Sequence, residues 1–114
     1  ETDDIREAPS LYLIDELLKS GANIKAFDPE AMDNVNKRYE GKIQFSETMY
    51  DVLENTDALI ICTEWSIFRT PDFKKIKKNL MKNVIFDGRN LYDISDVENE
   101  GISYFSIGRK DIKL

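Results

Sequence analysis

The sequence predicts a three-layer α/β/α domain built on a mostly parallel sheet, and three observations predict it. Short apolar runs alternate with segments patterned as helices of about 8 to 12 residues, the signature of βα repetition. Two of the runs, Ala58-Leu59-Ile60-Ile61-Cys62 and Val84-Ile85-Phe86, are continuously apolar, which suits strands covered on both faces. No repeat, low-complexity tract or Pro/Gly-rich linker divides the 114 residues, so residues 1–114 are expected to form one domain.

Each element has its own warrant. From Pro9 to Ser20, Leu11, Ile14, Leu17 and Leu18 recur at helical spacing, with Pro9 suited to a first turn and Gly21 to the position that ends it. Asn23 to Phe27 reads as a strand stopped by the Asp28-Pro29 turn. Glu30 to Arg38 is helix-competent, and Ile43 and Phe45 alternate with polar neighbours in a short edge strand. Ser46 is placed to cap a helix over Glu47 to Glu54, with Met49, Val52 and Leu53 inward. After the Ala58 strand, Pro71 to Lys82 forms an amphipathic helix with Phe73, Ile76, Leu80 and Met81 inward and Lys74, Lys75, Lys77 and Lys78 on its solvated face. Val84 to Phe86 is the next strand, Ser95 caps a helical turn ended by Gly101, and Ile102 to Ile107 is the last strand. A right-handed βαβ crossover needs a strand before the first helix, and only eight polar-rich residues precede Pro9. The opening strand is therefore expected to be missing.

Composition narrows the function. The net charge is −6, with 16 Lys and Arg against 22 Asp and Glu, which argues against nucleic acid and anionic membrane surfaces as partners. With no His, a Ser-His-Asp triad and a His-ligated zinc site are excluded. Cys62 has no second cysteine to pair with, no apolar run reaches the ~20 residues of a membrane-spanning helix, and Glu1-Thr2-Asp3-Asp4 is unlike a signal peptide. A cytoplasmic location is expected. The chain opens without Met, as a piece of a longer protein would.

Ligands of open parallel sheets bind at the carboxyl ends of the strands, so the residues after each run matter most. Asp28 lacks the upstream Gly-x-Gly-x-x-Gly that a ribose-binding acid would need, and reads as the start of a turn. Thr63-Glu64-Trp65 reads as a strand-to-helix turn with the Trp as a packing anchor, and Cys62 as a small buried hydrophobe. Asp87 sits where a phosphotransferase nucleophile can sit, but Asp-Gly-Arg lacks the second carboxylate two residues on. Arg89 is the better candidate. Gly88 allows the backbone to turn and approach a ligand, and the guanidinium offers a planar fork to phosphate or carboxylate oxygens. The competing reading is a surface arginine paired with Asp87 or Asp93. Arg6, among Asp3, Asp4 and Glu7, either pairs locally or faces an anionic ligand beside a helix N-terminus.

Five segments together resemble the C-terminal, UDP-binding domain of the UDP-glucose/GDP-mannose dehydrogenase family. They are Thr2-Asp3-Asp4-Ile5-Arg6-Glu7-Ala8-Pro9-Ser10, Ala26-Phe27-Asp28-Pro29-Glu30-Ala31, Cys62-Thr63-Glu64-Trp65, Phe86-Asp87-Gly88-Arg89-Asn90 and Tyr104-Phe105-Ser106-Ile107-Gly108-Arg109. The resemblance implies a Rossmann-like fold and a homo-oligomeric parent enzyme that oxidises a sugar C6 alcohol to a carboxylate in two NAD-dependent steps. UDP-glucose is the expected sugar nucleotide, with UDP-N-acetylmannosamine or GDP-mannose as alternatives. It further implies that Arg89 contacts the nucleotide sugar and Arg6 the NAD, and that the missing opening strand leaves a gap beside the Ala58 to Cys62 strand or a slot filled by another chain. The catalytic cysteine and the Gly-rich dinucleotide module belong to N-terminal and central domains outside this chain, so no catalytic residue is expected here and the isolated chain is expected to be inactive. A non-catalytic α/β nucleotide-binding module is the alternative of a different class.

Overall fold

The computed structural model describes residues 9–27, 37–39, 41–62 and 68–114. Among the described residues the strands pair in parallel, the first helix precedes them and the other helices lie between them in sequence, an α/β fold of the predicted class. The chain divides into two compact units, Glu1–Val52 and Leu53–Leu114.

In the first unit, α1 runs over Pro9–Lys19. It ends as Gly21 was expected to end it: Gly21 adopts φ 84°, its N–H bonds the Leu18 carbonyl at 3.1 Å, and the Ala22 N–H reaches back to Leu17 at 3.0 Å. This is the Schellman pattern, which uses carbonyls that the helix end would leave unpaired. Strands β1 (Lys25–Ala26) and β2 (Gln44–Phe45) pair in parallel, Lys25 opposite Gln44. Tyr39 and Ile43 are buried under Ile14, Leu18, Ile24, Ala26 and Phe45. The Tyr39 hydroxyl donates to Asp15 Oδ1 at 2.8 Å, and its ring lies 5.5 Å from the Arg38 guanidinium. Most of the helix expected over residues 30–38, and the Asp28-Pro29 turn, fall outside the described residues.

The helix expected over Glu47 to Glu54 is a single 3-10 turn, Asp51–Leu53. The cap is Thr48, not Ser46: its hydroxyl accepts the Asp51 N–H at 3.1 Å, and Asn55 at φ 59° then stops the turn. Two residues after Leu53 are too few for an α-helix to recover its nucleation cost. Leu53, 3% exposed, is buried as expected.

The second unit carries β3 (Leu59–Ile61), α2 (Phe73–Asn79), β4 (Val84–Asp87), α3 (Ile94–Asn99) and β5 (Ser103–Ser106). The strands lie side by side in chain order with Leu59 opposite Ile85 and Ile85 opposite Tyr104. Asp72 caps α2 by accepting the Lys74 and Lys75 N–H groups. The helix was expected to reach Lys82 but stops at Asn79. Leu80 turns extended and pairs with Thr56, and the Met81 N–H donates to the Thr56 carbonyl at 2.8 Å, so strand-like pairing replaces the last helical turn. Met81, expected inward, is consequently exposed. Helix α3 begins one residue ahead of Ser95, with Asp93 in the cap position, and Gly101 at φ 75° ends it with a second Schellman pattern to Glu98 and Val97.

Ile76, Ile85, Val97, Ile102 and Tyr104 form the buried core of this unit. The other face of the sheet carries the row Ile60, Phe86 and Phe105, aligned by strand register, with the two phenylalanine rings stacked at 5.1 Å. Ile60 and Phe86 are 39% and 42% exposed, so the apolar runs read as covered on both faces are only partly covered. The reason is topological: successive right-handed crossovers that advance in one direction place their helices on one face. After β5, Gly108 at φ 67° turns the chain back, and Ile112 pairs antiparallel with Tyr104 through two bonds of 2.8 Å, shielding the outer edge of β5. Among the described residues no strand pairs with β3 on the side away from β4.

Candidate functional site

The site is built where β4 and β5 end. Asp87 closes β4 pointing to the same face as Ile85, two residues earlier, and is 2% exposed. Its carboxylate is fully engaged: Oδ1 accepts the Arg89 N–H at 2.9 Å, and Oδ2 accepts the Leu91 N–H at 2.8 Å and the Tyr104 hydroxyl at 2.6 Å. A carboxylate so enclosed is a structural anchor and cannot reach a substrate as a nucleophile.

Gly88 has a different role from the one expected. Its φ is not in the left-handed region, and the close approach it permits is to the protein itself: a Cβ there would lie 3.0 Å from the Ile61 carbonyl, to which the Gly88 N–H donates at 2.9 Å. The left-handed residue is Asn90, at φ 54°, a conformation asparagine tolerates well. Its side chain makes a reciprocal pair with the loop after β5, donating to the Ile107 carbonyl and accepting the Ile107 N–H, both at 2.9 Å. Between these two clasps Arg89 is exposed. The turn that carries it is thus fixed on both sides, by Asp87 before it and by Asn90 after it.

Behind Asp87 lies a second cation. Arg109 donates through Nη2 to the Tyr104 hydroxyl at 2.7 Å, through Nη1 to the Tyr92 carbonyl at 2.9 Å and through Nε to Ser106 Oγ at 3.0 Å. Its guanidinium also sits 5.5 Å from the centre of the Tyr104 ring. Tyr92 joins the same cluster, its ring 5.1 Å edge-on from Phe73 of α2 and its hydroxyl bonded to the Phe68 carbonyl at 2.8 Å.

Burial, reinforced by the bond to Asp87 and its negative charge, pushes the Tyr104 phenol up to about 12, against an opposing pull from Arg109. The neutral phenol is therefore the form the fold favours. Its stabilising contribution is complete below pH 10 and is lost as the pH rises from 10 towards about 12. Tyr104→Phe removes this dependence, so unfolding free energy measured across that window falls less steeply in the variant than in the wild type. Equal slopes would remove Tyr104 from the alkaline limb.

Of the residues singled out in the sequence, Asp87, Gly88 and Arg89 stand at this site among those described. Cys62 follows β3, half-buried, and burial pushes its thiol up, which disfavours the reactive thiolate. Arg6, Asp28 and Thr63-Glu64-Trp65 lie outside the described residues. Among those described, no three His, Cys, Asp or Glu side chains cluster as a metal site, and no helix is long and apolar enough to cross a membrane. Asn90, Tyr104 and Arg109 were present in the quoted segments but had no assigned role. An asparagine directly after Asp-Gly-Arg was the available signal for a left-handed turn position.

Residues 1–94 match the family model for the UDP binding domain of the UDP-glucose/GDP-mannose dehydrogenase family. The chain belongs to this family. The UDP-glucose 6-dehydrogenase of Pseudomonas aeruginosa is 41% identical over 113 residues, covering 95% of this chain and 25% of that protein. The UDP-glucose 6-dehydrogenase of Rhizobium meliloti is 37% identical over 110 residues, covering 96% of this chain and 25% of that protein. Among solved structures, the NDP-N-acetyl-D-galactosaminuronic acid dehydrogenase of Methanosarcina mazei Go1 superimposes with a TM-score of 0.72 at 28% identity, over 95% of this chain and 22% of that one. The chain thus spans about a quarter of the length of these two UDP-glucose 6-dehydrogenases. The Asp87-Gly88-Arg89-Asn90 turn lies inside the matched region, and Arg109 beyond it.

Proposed function

We propose that this chain is the substrate-binding domain of an NAD-dependent UDP-glucose 6-dehydrogenase, in which Arg89 holds the nucleotide sugar and Arg6 contacts NAD. The observation that carries the reading is the doubly clasped turn at the carboxyl end of β4, which presents an exposed guanidinium with its backbone already ordered. Preorganisation of this kind lowers the entropy lost on binding an anion. The named activity of the relatives from Pseudomonas aeruginosa and Rhizobium meliloti supports UDP-glucose as the ligand.

In the parent enzyme the remaining domains supply the catalytic residues and most of the cofactor contacts. NAD would be held mainly by those domains, with Arg6 of this chain contacting it, and would supply the hydride acceptor for oxidation at the sugar C6. The work of this chain is to bind and orient the substrate: the Arg89 fork engages diphosphate oxygens, and the turn beneath it keeps that fork at a constant height above the sheet. The full-length parent is expected to reduce two NAD per UDP-glucose consumed, with UDP-glucuronate as the product, while residues 1–114 alone show no turnover. Turnover confined to UDP-N-acetylmannosamine, UDP-N-acetylgalactosamine or GDP-mannose would overturn the choice of sugar, and the Methanosarcina mazei relative makes this comparison worth running.

A further inference from the structure

We infer that Arg109 and Tyr104 are positioning residues for Arg89, acting through the carboxylate of Asp87. This rests on the proposal that Arg89 binds the nucleotide sugar. The chain of contacts is continuous and short: Arg109 Nη2 to the Tyr104 hydroxyl at 2.7 Å, that hydroxyl to Asp87 Oδ2 at 2.6 Å, and the same carboxylate to the Arg89 and Leu91 N–H groups at 2.9 and 2.8 Å.

A buried carboxylate held only by neutral donors would be costly, because desolvation of the charge is incompletely offset. Arg109 supplies the opposite charge one hydroxyl away. It is itself fixed by the Tyr92 carbonyl and Ser106 Oγ, so its position is set by the end of β5 and by the loop leading into α3. Hydroxyls polarised by a cation donate more strongly, and charge-assisted bonds are the strong members of a network. The cation thereby tightens the grip of Asp87 on the turn, and the turn sets where the Arg89 side chain starts. Asn90 secures the other side through Ile107, two residues before Arg109, so both clasps converge on the same loop after β5.

The test uses the full-length parent and a double-mutant cycle, which separates action through Arg89 from a general structural role. Tyr104→Phe keeps the ring and removes the relay. It is expected to raise the KM for the nucleotide sugar by about 5-fold, the loss of one ordinary hydrogen bond, with kcat and the KM for NAD within a factor of about 2. In an Arg89→Ala background the same substitution should leave the nucleotide-sugar KM unchanged. Arg109→Gln should reproduce the effect without touching the core ring, and Arg109→Lys should recover part of it by restoring a cation beside the hydroxyl. Equal effects of Tyr104→Phe with and without Arg89, no effect in the wild-type background, or identical behaviour of Arg109→Lys and Arg109→Gln would each overturn the inference. If Tyr104→Phe fails to fold, the two Arg109 variants in the same cycle decide the matter. An Arg89→Ala enzyme with wild-type KM would instead refute the substrate role of Arg89.

Discussion

Arg89→Ala in the full-length parent is expected to weaken nucleotide-sugar binding by about 1.5–3 kcal/mol, roughly 10- to 150-fold in dissociation constant, the range for hydrogen bonds to a charged group. The loss is expected to fall on binding because, on the proposed reading, the guanidinium meets the diphosphate side of the substrate, away from the carbon that is oxidised. It therefore appears in the KM for the sugar nucleotide, with little change in the KM for NAD. Arg89→Lys retains the charge without the planar fork and should fall between wild type and alanine. Added salt should narrow the difference between wild type and Arg89→Ala, since an exposed guanidinium is screened over a Debye length of ~8 Å at physiological ionic strength. Isothermal titration of UDP-glucose against the three proteins checks the order. An unchanged dissociation constant for Arg89→Ala removes this residue from the site.

Asp87→Ala has the largest expected effect on stability. The carboxylate is 2% exposed and receives three donors, so its removal leaves the Tyr104 hydroxyl only its longer bond to the Tyr92 carbonyl at 3.4 Å, takes the acceptor from the N–H groups of Arg89 and Leu91, and leaves Arg109 without its counter-charge. Breaking one side of such a buried charged network costs about 3–5 kcal/mol. Asp87→Asn preserves the shape and one acceptor oxygen, and its amide can donate to Tyr104, so a smaller loss is expected. The readout is amide hydrogen exchange in the parent enzyme: protection at Arg89 and Leu91 should collapse in the alanine variant and persist in part in the asparagine variant. Undiminished protection at both amides in Asp87→Ala would show that the turn stands without its anchor.

These two residues also show what a linear pattern can reveal. Arg89 is legible because a strand of apolar residues followed by Asp-Gly-Arg announces a sheet end and a turn, and sheet ends are where ligands bind. Asp87 is legible as a polar residue at a strand end, but its function is not. Whether a carboxylate there attacks a substrate or anchors a turn depends on which donors surround it, and Tyr104 lies 17 residues away. The role of Gly88 illustrates the same limit. A glycine at a turn can answer a need for positive φ or a need for close approach, and here the nearby Ile61 carbonyl decides for the second.

The sequence by itself determined the α/β class, the alternation of strands and helices, the glycines that end α1 and α3, and the arginine at the end of β4, because periodicity, capping and turn chemistry are properties of neighbouring residues. Only the tertiary structure decided where α2 stops, that Ile60 and Phe86 stay partly exposed, and that Arg109 stands behind Asp87. Those outcomes depend on strand register and crossover direction, which bring together groups far apart in the chain and let long-range pairing override local preference.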